Sequence, residues 1–474
     1  MTYAFQLDAS ACSGCKACQV ACKDKNNLPE GVLWRRVIEI SGGDWSTSGI
    51  AWENTVFAYN LSMACNHCVH PKCAGVCPTN AYHVREDGIV LLDSSKCIGC
   101  GYCNWACPYA VPQFNPASGL MSKCNFCFDA IDAGQPPACV AACPLRVLDY
   151  AEVAGGNPAG EGLALWELPG SEHPFPLPAY SRTQPHLQIQ PHPAMLNGLE
   201  KTIANGEEIK PGKPKSELPL VAFTLLVQMA VGAFWASLWL FSGLWNLVQS
   251  DSAPLRLAPA LVPGLPLALG ALISFGHLGH KRNAWRALGN LGKSWLSREI
   301  LFLGLFGAGW LLTLQFSGWL LAVITALLGL GLIFSMASVY RLRSMANWNT
   351  WRTFAGFLLS ALLLGHFLLI PVYLVVARRV GIQVPLAYFV PVNLVAVLLL
   401  VGELFLATGG EDPDLPTREK RVYLIWLIAL GLGLMPLVPG YLLSGYYLLL
   451  LLLLIQEESL GRWQFYTELE KRPI

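Results

Sequence analysis

All sixteen cysteines of the chain fall between Cys12 and Cys143, in four groups of four, and none follows. The groups are Cys12/Cys15/Cys18/Cys22, Cys65/Cys68/Cys73/Cys77, Cys97/Cys100/Cys103/Cys107 and Cys124/Cys127/Cys139/Cys143. The first and third read C-x2-C-x2-C-x3-C, the spacing that wraps three thiolates around a [4Fe-4S] cube and lends the fourth to a neighbouring cube. Pro78, Pro108 and Pro144 each follow the fourth cysteine of a group, as in that signature. Sixteen thiolates suffice for four cubes, which together make a wire for single electrons.

A cube needs soft, deprotonated ligands on a bent backbone, and Gly14, Gly99 and Gly101 relieve the crowding between closely spaced cysteines. Structural zinc also uses paired C-x2-C, and an even cysteine count also suits a disulfide framework. The quartet followed by proline favours the cubes over both. By the crossover rule, Cys12, Cys15 and Cys18 share a cube with Cys143, and Cys124, Cys127 and Cys139 with Cys22. Likewise Cys65, Cys68 and Cys73 take Cys107, while Cys97, Cys100 and Cys103 take Cys77. Spacing fixes the motifs better than these partners.

The elements that must hold the cysteines are small. Residues 1–195 read as an α+β, ferredoxin-like four-cluster domain in which short strands such as 88–93 alternate with turns, and metal sites stand in for much of the apolar core. Cys18-x3-Cys22 and Cys103-x3-Cys107 each span about one helical turn, so the fourth cysteine can sit on a short helix and point at the next cube. From Pro174 to Pro193 six prolines exclude helix, and this segment reads as a strap over the cluster domain. Residues 196–217 form a linker, and 218–474 an all-α bundle of eight transmembrane helices. Its apolar segments lie near 218–248, 257–279, 299–316, 318–340, 353–376, 385–407, 422–438 and 440–456. Trp285, Trp295, Trp348 and Trp351 flank them as interface anchors.

Net charge of +1 and the lack of a basic arm argue against a nucleic-acid partner. The N-terminus shows no charged and apolar secretory signal. Loops on the cluster side carry Lys281, Arg282, Arg286, Lys293, Arg298, Arg341, Arg343, Arg352, Arg418, Lys420 and Arg421. The opposite loops carry Arg256, Arg378 and Arg379, so the positive-inside rule turns the cluster domain toward the cytoplasm of an inner-membrane protein.

The run from Cys65-Asn66-His67-Cys68 through Cys77-Pro78, Arg85-Glu86-Asp87-Gly88, Cys97-Ile98-Gly99-Cys100 and Cys107-Pro108-Tyr109 resembles the four-cluster subunit of dimethyl sulfoxide reductase. Cys143-Pro144-Leu145-Arg146 and the proline strap extend the similarity to about residue 195. In the related nitrate reductase subunit a Trp replaces the second cysteine of the third group; here that residue is Cys100, and a full cube is implied. The second half is similar to the eight-helix anchor of the same enzymes, at Gly276-His277-Leu278-Gly279 and Ser297-Arg298-Glu299-Ile300. Family members usually divide these halves between two polypeptides, so this chain reads as their fusion. The resemblance implies four [4Fe-4S] clusters, menaquinol as donor, and a separate molybdopterin-containing catalytic subunit. It also implies export of the cluster domain to the periplasm with a partner, against the loop charges.

Quinol oxidation releases two protons with its two electrons, so a quinol pocket needs a base beside the nearest cluster. Ionisable side chains in apolar spans are costly, and four stand out: His277, Glu299, His366 and Glu403. His277 and His280 end the second span on the cluster side, and the third span begins there with Glu299. His277 is the expected proton acceptor and quinol anchor, with Glu299 as second contact or proton exit; the plain alternative makes both interfacial residues reaching water. Glu403 also approaches the cluster side on the sixth span, which a solvated helix end explains as well, and His366 reads as a bond to a helix partner rather than to a ligand. No catalytic site is expected on this chain beyond quinol oxidation itself. The reading is an electron-transfer and anchor subunit feeding reduction of dimethyl sulfoxide or a related S- or N-oxide. Three rivals are the same relay reversed in a cytoplasmic sulfite dehydrogenase-type complex, a redox-driven ion pump, and a zinc-stabilised interaction module.

Overall fold

The computed structural model describes residues 2–153, 165–167, 174–203, 218–239, 253–316, 318–345, 347–379, 381, 384, 389–408 and 415–467. The chain divides into two units: Met1–Pro214 with Leu278–Ser294, and Lys215–His277 with Trp295–Leu469. The expected linker falls mostly outside the described residues.

In the first unit the opening strand Thr2–Asp8 buries Ala4, Phe5 and Leu7 and sits at the centre of a three-stranded sheet. It pairs antiparallel with Leu148–Val153, just beyond the last cysteine, and parallel with Leu187–Gln190. The last strand belongs to the proline strap. Prolines there restrict helix to the short 3-10 turns Tyr180–Arg182 and Pro193–Met195. The strand pairs because it lies between Pro185 and Pro191 and forms an edge, where missing N–H donors do little harm. A second sheet sets Arg36–Gly42 between Phe57–Met63 and Lys201–Ile203.

The inner cysteine groups repeat one pattern. The five-residue helices Lys72–Val76 and Tyr102–Ala106 each lead through a Cys-Pro step to a hairpin, Tyr82–Val84 with Val90–Leu92 and Gln113–Asn115 with Leu120–Ser122. Cysteines are the middle of the core, as expected: Cys18, Cys22, Cys65, Cys124, Cys139 and Cys143 pack with Phe5, Leu7, Ile38, Ile40 and Leu61. Cys73, Cys77, Cys97 and Cys103 pack with Tyr82, Val90, Phe114 and Met121.

The second unit is all α. Among the described residues seven helices are long and apolar enough to cross a membrane, and up to eight when the segment around Val262–Gly276 counts as a span. The eight long helices are Leu218–Trp239, Ala253–His277, Trp295–Gln315, Trp319–Tyr340, Trp351–Arg379, Phe389–Thr408, Leu415–Leu434 and Leu443–Thr467. Small residues let the first and fifth approach closely: a Cβ at Gly232 would strike the Ala361 carbonyl, and one at Gly365 would strike the Gly232 backbone.

The structure corrects three expectations. Trp348 is fully buried, stacked on Phe465 at 4.7 Å with its indole N–H donating to the Phe465 carbonyl, because the last helix runs past the expected end at 456 to Thr467 and covers it. Arg421 is not a loop cation: its helix starts at Leu415, and its Nε donates to Glu457 Oε1 at 2.8 Å. Glu403 is buried rather than a solvated end, 3.7 Å from Arg421 Nη2. Further along, Arg462 Nη2 donates to Gln228 Oε1 and Ser360 Oγ, both at 3.2 Å, and Ser360 Oγ donates to Glu458 Oε2 at 2.7 Å. A polar network therefore ties helices together inside the bundle.

Arg421→Ala leaves Glu403 and Glu457 buried without this counter-charge, a loss of about 3–5 kcal/mol. The expected outcome is a clearly lowered thermal transition of the detergent-solubilised chain, and a transition matching the unaltered protein contradicts the assignment.

Candidate metal centres

The first cysteine pair of each group encloses a left-handed turn at the same place. The residue before the second cysteine has a positive φ in all four: Gly14 at 70°, His67 at 41°, Gly99 at 67° and Phe126 at 62°. Glycine adopts this conformation freely, and Gly14 and Gly99 need no other explanation. His67 and Phe126 are held by their surroundings: His67 Nδ1 accepts the Val90 N–H at 3.0 Å, and Phe126 stacks on Phe5 at 4.1 Å. The turns also aim backbone donors at sulfur, Gly99 N–H at Cys97 Sγ and Phe126 N–H at Cys124 Sγ, both 3.4 Å. Ala81 N–H reaches Cys77 Sγ at 3.4 Å, and the Ser62 hydroxyl lies 3.3 Å from Cys18 Sγ. Such bonds stabilise negative charge on sulfur.

The thiols gather across the four sequence groups. Cys12, Cys15, Cys18 and Cys143 line one pocket, and Cys65, Cys68, Cys73 and Cys107 line another. Cys22 faces Cys127 and Cys139, and Cys124 faces Cys22 and Cys139. Cys77, Cys97, Cys100 and Cys103 face one another. The sets stand in a row. Cys18 of the first faces Cys139 of the second, Cys124 of the second faces Cys65 of the third, and Tyr82 faces Cys73 of the third and Cys77 and Cys103 of the fourth.

All sixteen thiols are free of disulfides. Among the described residues no group of three or more His, Cys, Asp or Glu is placed to hold a single metal ion. Burial pushes the Cys22 and Cys100 thiols up to about 12, and raises Cys73, Cys103 and Cys124 well above the ordinary range. These groups are neutral at physiological pH unless a cationic centre binds them. Wide, buried, soft donor sets fit iron–sulfur cubes. A buried cation assists the third set: Lys123 Nζ donates to the carbonyls of Val90 and Cys124 and faces Cys73.

The fourth set is gripped by Leu278–Ser294. Asn290 Nδ2 donates to the Cys77 carbonyl at 2.9 Å, and Asn283 Nδ2 to the carbonyls of Ser95 at 2.8 Å and Cys97 at 3.2 Å. Ser294 Oγ donates to the Val76 carbonyl at 2.8 Å, His280 N–H to the Ile98 carbonyl at 3.1 Å, and Gly279 meets the backbone of Gly119 with no room for a Cβ. His280 Nδ1 is buried without a partner beside this set. Sequence reasoning read this segment for its charges, His280 and Trp285; its two asparagines were the missed signal.

The His277 side chain lies outside the described residues. Glu299 is buried in the second unit, not reaching water at an interface, and faces Tyr340, whose oxygen accepts from the Tyr466 hydroxyl at 2.6 Å. His366 is buried near the middle of Trp351–Arg379.

Fold and site define an iron–sulfur electron-transfer protein carried on a helical membrane anchor. Residues 56–153 match the 4Fe-4S dicluster domain, and residues 212–467 the DMSO reductase anchor subunit (DmsC). The chain belongs to the dimethyl sulfoxide reductase family and joins its iron–sulfur and anchor subunits in one multi-pass membrane polypeptide. Among similar proteins, the B subunit of the anaerobic dimethyl sulfoxide reductase of Escherichia coli (strain K12) is 44% identical over 190 residues, 40% of this chain and 89% of that one. The thiosulfate reductase electron transfer subunit PhsB of Salmonella typhi is 42% identical over 149 residues, covering 31% of this chain and 74% of its own. The formate dehydrogenase iron–sulfur subunit of Wolinella succinogenes is 39% identical over 167 residues, covering 30% and 78%.

Asn290→Ala removes a bond worth about 1 kcal/mol and leaves the Cys77 carbonyl with the longer bond from the Asn80 N–H at 3.4 Å. Amide hydrogen exchange across residues 278–294 is expected to speed up by roughly fivefold, with exchange in Thr2–Asp8 unchanged. Equal rates in both proteins contradict the grip.

Proposed function

We propose that this chain relays electrons between menaquinol and a separate molybdopterin-containing catalytic subunit through four [4Fe-4S] centres. The centres are held by Cys12/Cys15/Cys18/Cys143, Cys22/Cys124/Cys127/Cys139, Cys65/Cys68/Cys73/Cys107 and Cys77/Cys97/Cys100/Cys103. The observation that carries this reading is the gathering of the cysteines into four adjoining crossover sets. Residues 1–195 act as the cluster domain, to which Lys201–Ile203 adds a strand and Leu278–Ser294 a further segment; the rest of 196–217 acts as linker and the rest of 218–474 as anchor.

When bound, each cube carries one electron at a time. The chain's residues do the rest. Burial of most of the cysteines, Cys15 being exposed, limits water along the path, and N–H donors at Cys97 and Cys124 favour charge on sulfur. Menaquinol gives up two electrons and two protons. His277 accepts a proton and anchors the quinol, and Glu299 makes the second contact and releases protons. His277 immediately precedes the segment that grips Cys77 and Cys97, which supports electron entry at the fourth set. At the partner, dimethyl sulfoxide or a related S- or N-oxide takes up two electrons and two protons and loses its oxygen as water.

The loop charges favour a second reading, a cytoplasmic cluster domain in a sulfite dehydrogenase-type complex that reduces quinone; a reporter fused to the N-terminus decides the side. For the first reading, anaerobically prepared chain is expected to hold about sixteen irons and to show low-temperature paramagnetic signals on reduction. Far fewer irons would falsify it. His277→Ala should abolish reduction of the centres by a menaquinol analogue while leaving their reduction by dithionite intact; unimpaired quinol reduction removes His277 from the site.

A further inference from the structure

Arg35 is 2% exposed, and no carboxylate among the described residues pairs with it. Its Nη1 donates to the carbonyl and hydroxyl of Ser62, both at 3.1 Å, and its guanidinium carbon lies 4.4 Å over the Phe5 ring. Nε and Nη2 are buried and meet no protein acceptor. Four thiols face it: Cys18 of the first set and Cys22, Cys124 and Cys139 of the second. A guanidinium stays charged in a protein, and a charge taken from water needs an opposite charge close by. Protein carboxylates do not supply one here.

We propose that Arg35 is a counter-charge shared by the first and second iron–sulfur centres, raising the reduction potentials of both. The inference rests on the four-centre reading above. Reduction adds one negative charge to a centre, and both net charge and hydrogen bonds to sulfur set its potential. A fixed cation in a low-dielectric interior stabilises the added electron far more than one in water. Because Arg35 faces ligands of both centres, it favours the electron on either and keeps the hop between them from becoming steeply uphill. The Ser62 carbonyl and hydroxyl hold Nη1, which leaves Nε and Nη2 without an acceptor among the described residues; the same hydroxyl lies 3.3 Å from Cys18 Sγ and fixes the guanidinium against the first set. Arg36, the next residue, spends its Nη2 on the Tyr109 carbonyl at 3.0 Å and faces Cys107 of the third set, so the two arginines serve different centres.

The test is a redox titration of the full-length chain in membranes, followed by low-temperature paramagnetic resonance. In Arg35→Gln two of the four signals should move to lower potential and two should stay, at unchanged iron content. Arg35→Lys, which keeps the charge without the planar fork, should recover most of the shift. Unmoved midpoints in Arg35→Gln at full iron content overturn the role of Arg35 and leave the four-centre reading intact. Iron well short of four cubes in the unaltered chain overturns that reading instead. If Arg35→Gln does not assemble, unaltered chain labelled with nitrogen-15 in its arginine side chains provides the measurement. Reduced samples should show nitrogen hyperfine coupling at two signals that is absent from labelled Arg35→Lys. No such difference overturns the proposal.

Discussion

A sulfur ligand taken out of water carries its charge only where something positive meets it. That requirement organises the first unit. Left alone, the thiols of Cys22, Cys73, Cys100, Cys103 and Cys124 are driven toward the neutral form by burial. The fold answers with turns that aim N–H groups at sulfur, with the guanidinium of Arg35 and the ammonium of Lys123 set among the ligands, and with donor sets open enough for a multinuclear metal centre. The apolar side chains then have little left to do at the centre. Phe5, Leu7, Ile38 and Leu61 share one core with the cysteines rather than forming a core of their own.

How much of this was legible depended on distance along the sequence. The left-handed turns at Gly14 and Gly99 were readable because glycine announces them; those at His67 and Phe126 were not, since tertiary contacts from Val90 and Phe5 hold them. The crossover sets follow from a spacing rule, and the structure brings together the same cysteines. Asn283 and Asn290 were invisible because their partners, Cys97 and Cys77, lie far back in the sequence. In the bundle, apolar length located the helices well but hid their ends. Glu457, Glu458 and Arg462 lie beyond the expected end at 456, yet no proline or glycine pair stops the helix before Thr467. Trp348 and Glu403 were misread for the same reason, because the residues covering them belong to that unrecognised extension and its neighbours.

The two units solve opposite solvent problems with related means. In the cluster unit, buried charge is carried by sulfur and offset by cations. In the helical unit the buried ionisable groups are Glu403, Glu457 and Glu458, and Arg421 and Arg462 lie among them. In neither case does burial of charge add stability by itself; replacing such pairs by apolar residues is often neutral. What they supply is a single arrangement, since each donor has few acceptable partners.

The short stretch Leu278–Ser294 has a consequence for how the two halves came to share one polypeptide. By its contacts it belongs to the cluster unit, yet the backbone reaches it only after two helices of the other unit. Severed at the linker, the cluster fragment would lack the stretch that closes over Cys77 and Cys97, and would have to recruit it from a second molecule by diffusion. Covalent continuity replaces that encounter with closure of a tether, at a local concentration of order millimolar for short flexible connections. Gene fusion thus guarantees that every cluster fragment made is born with its own lid, whatever the expression level.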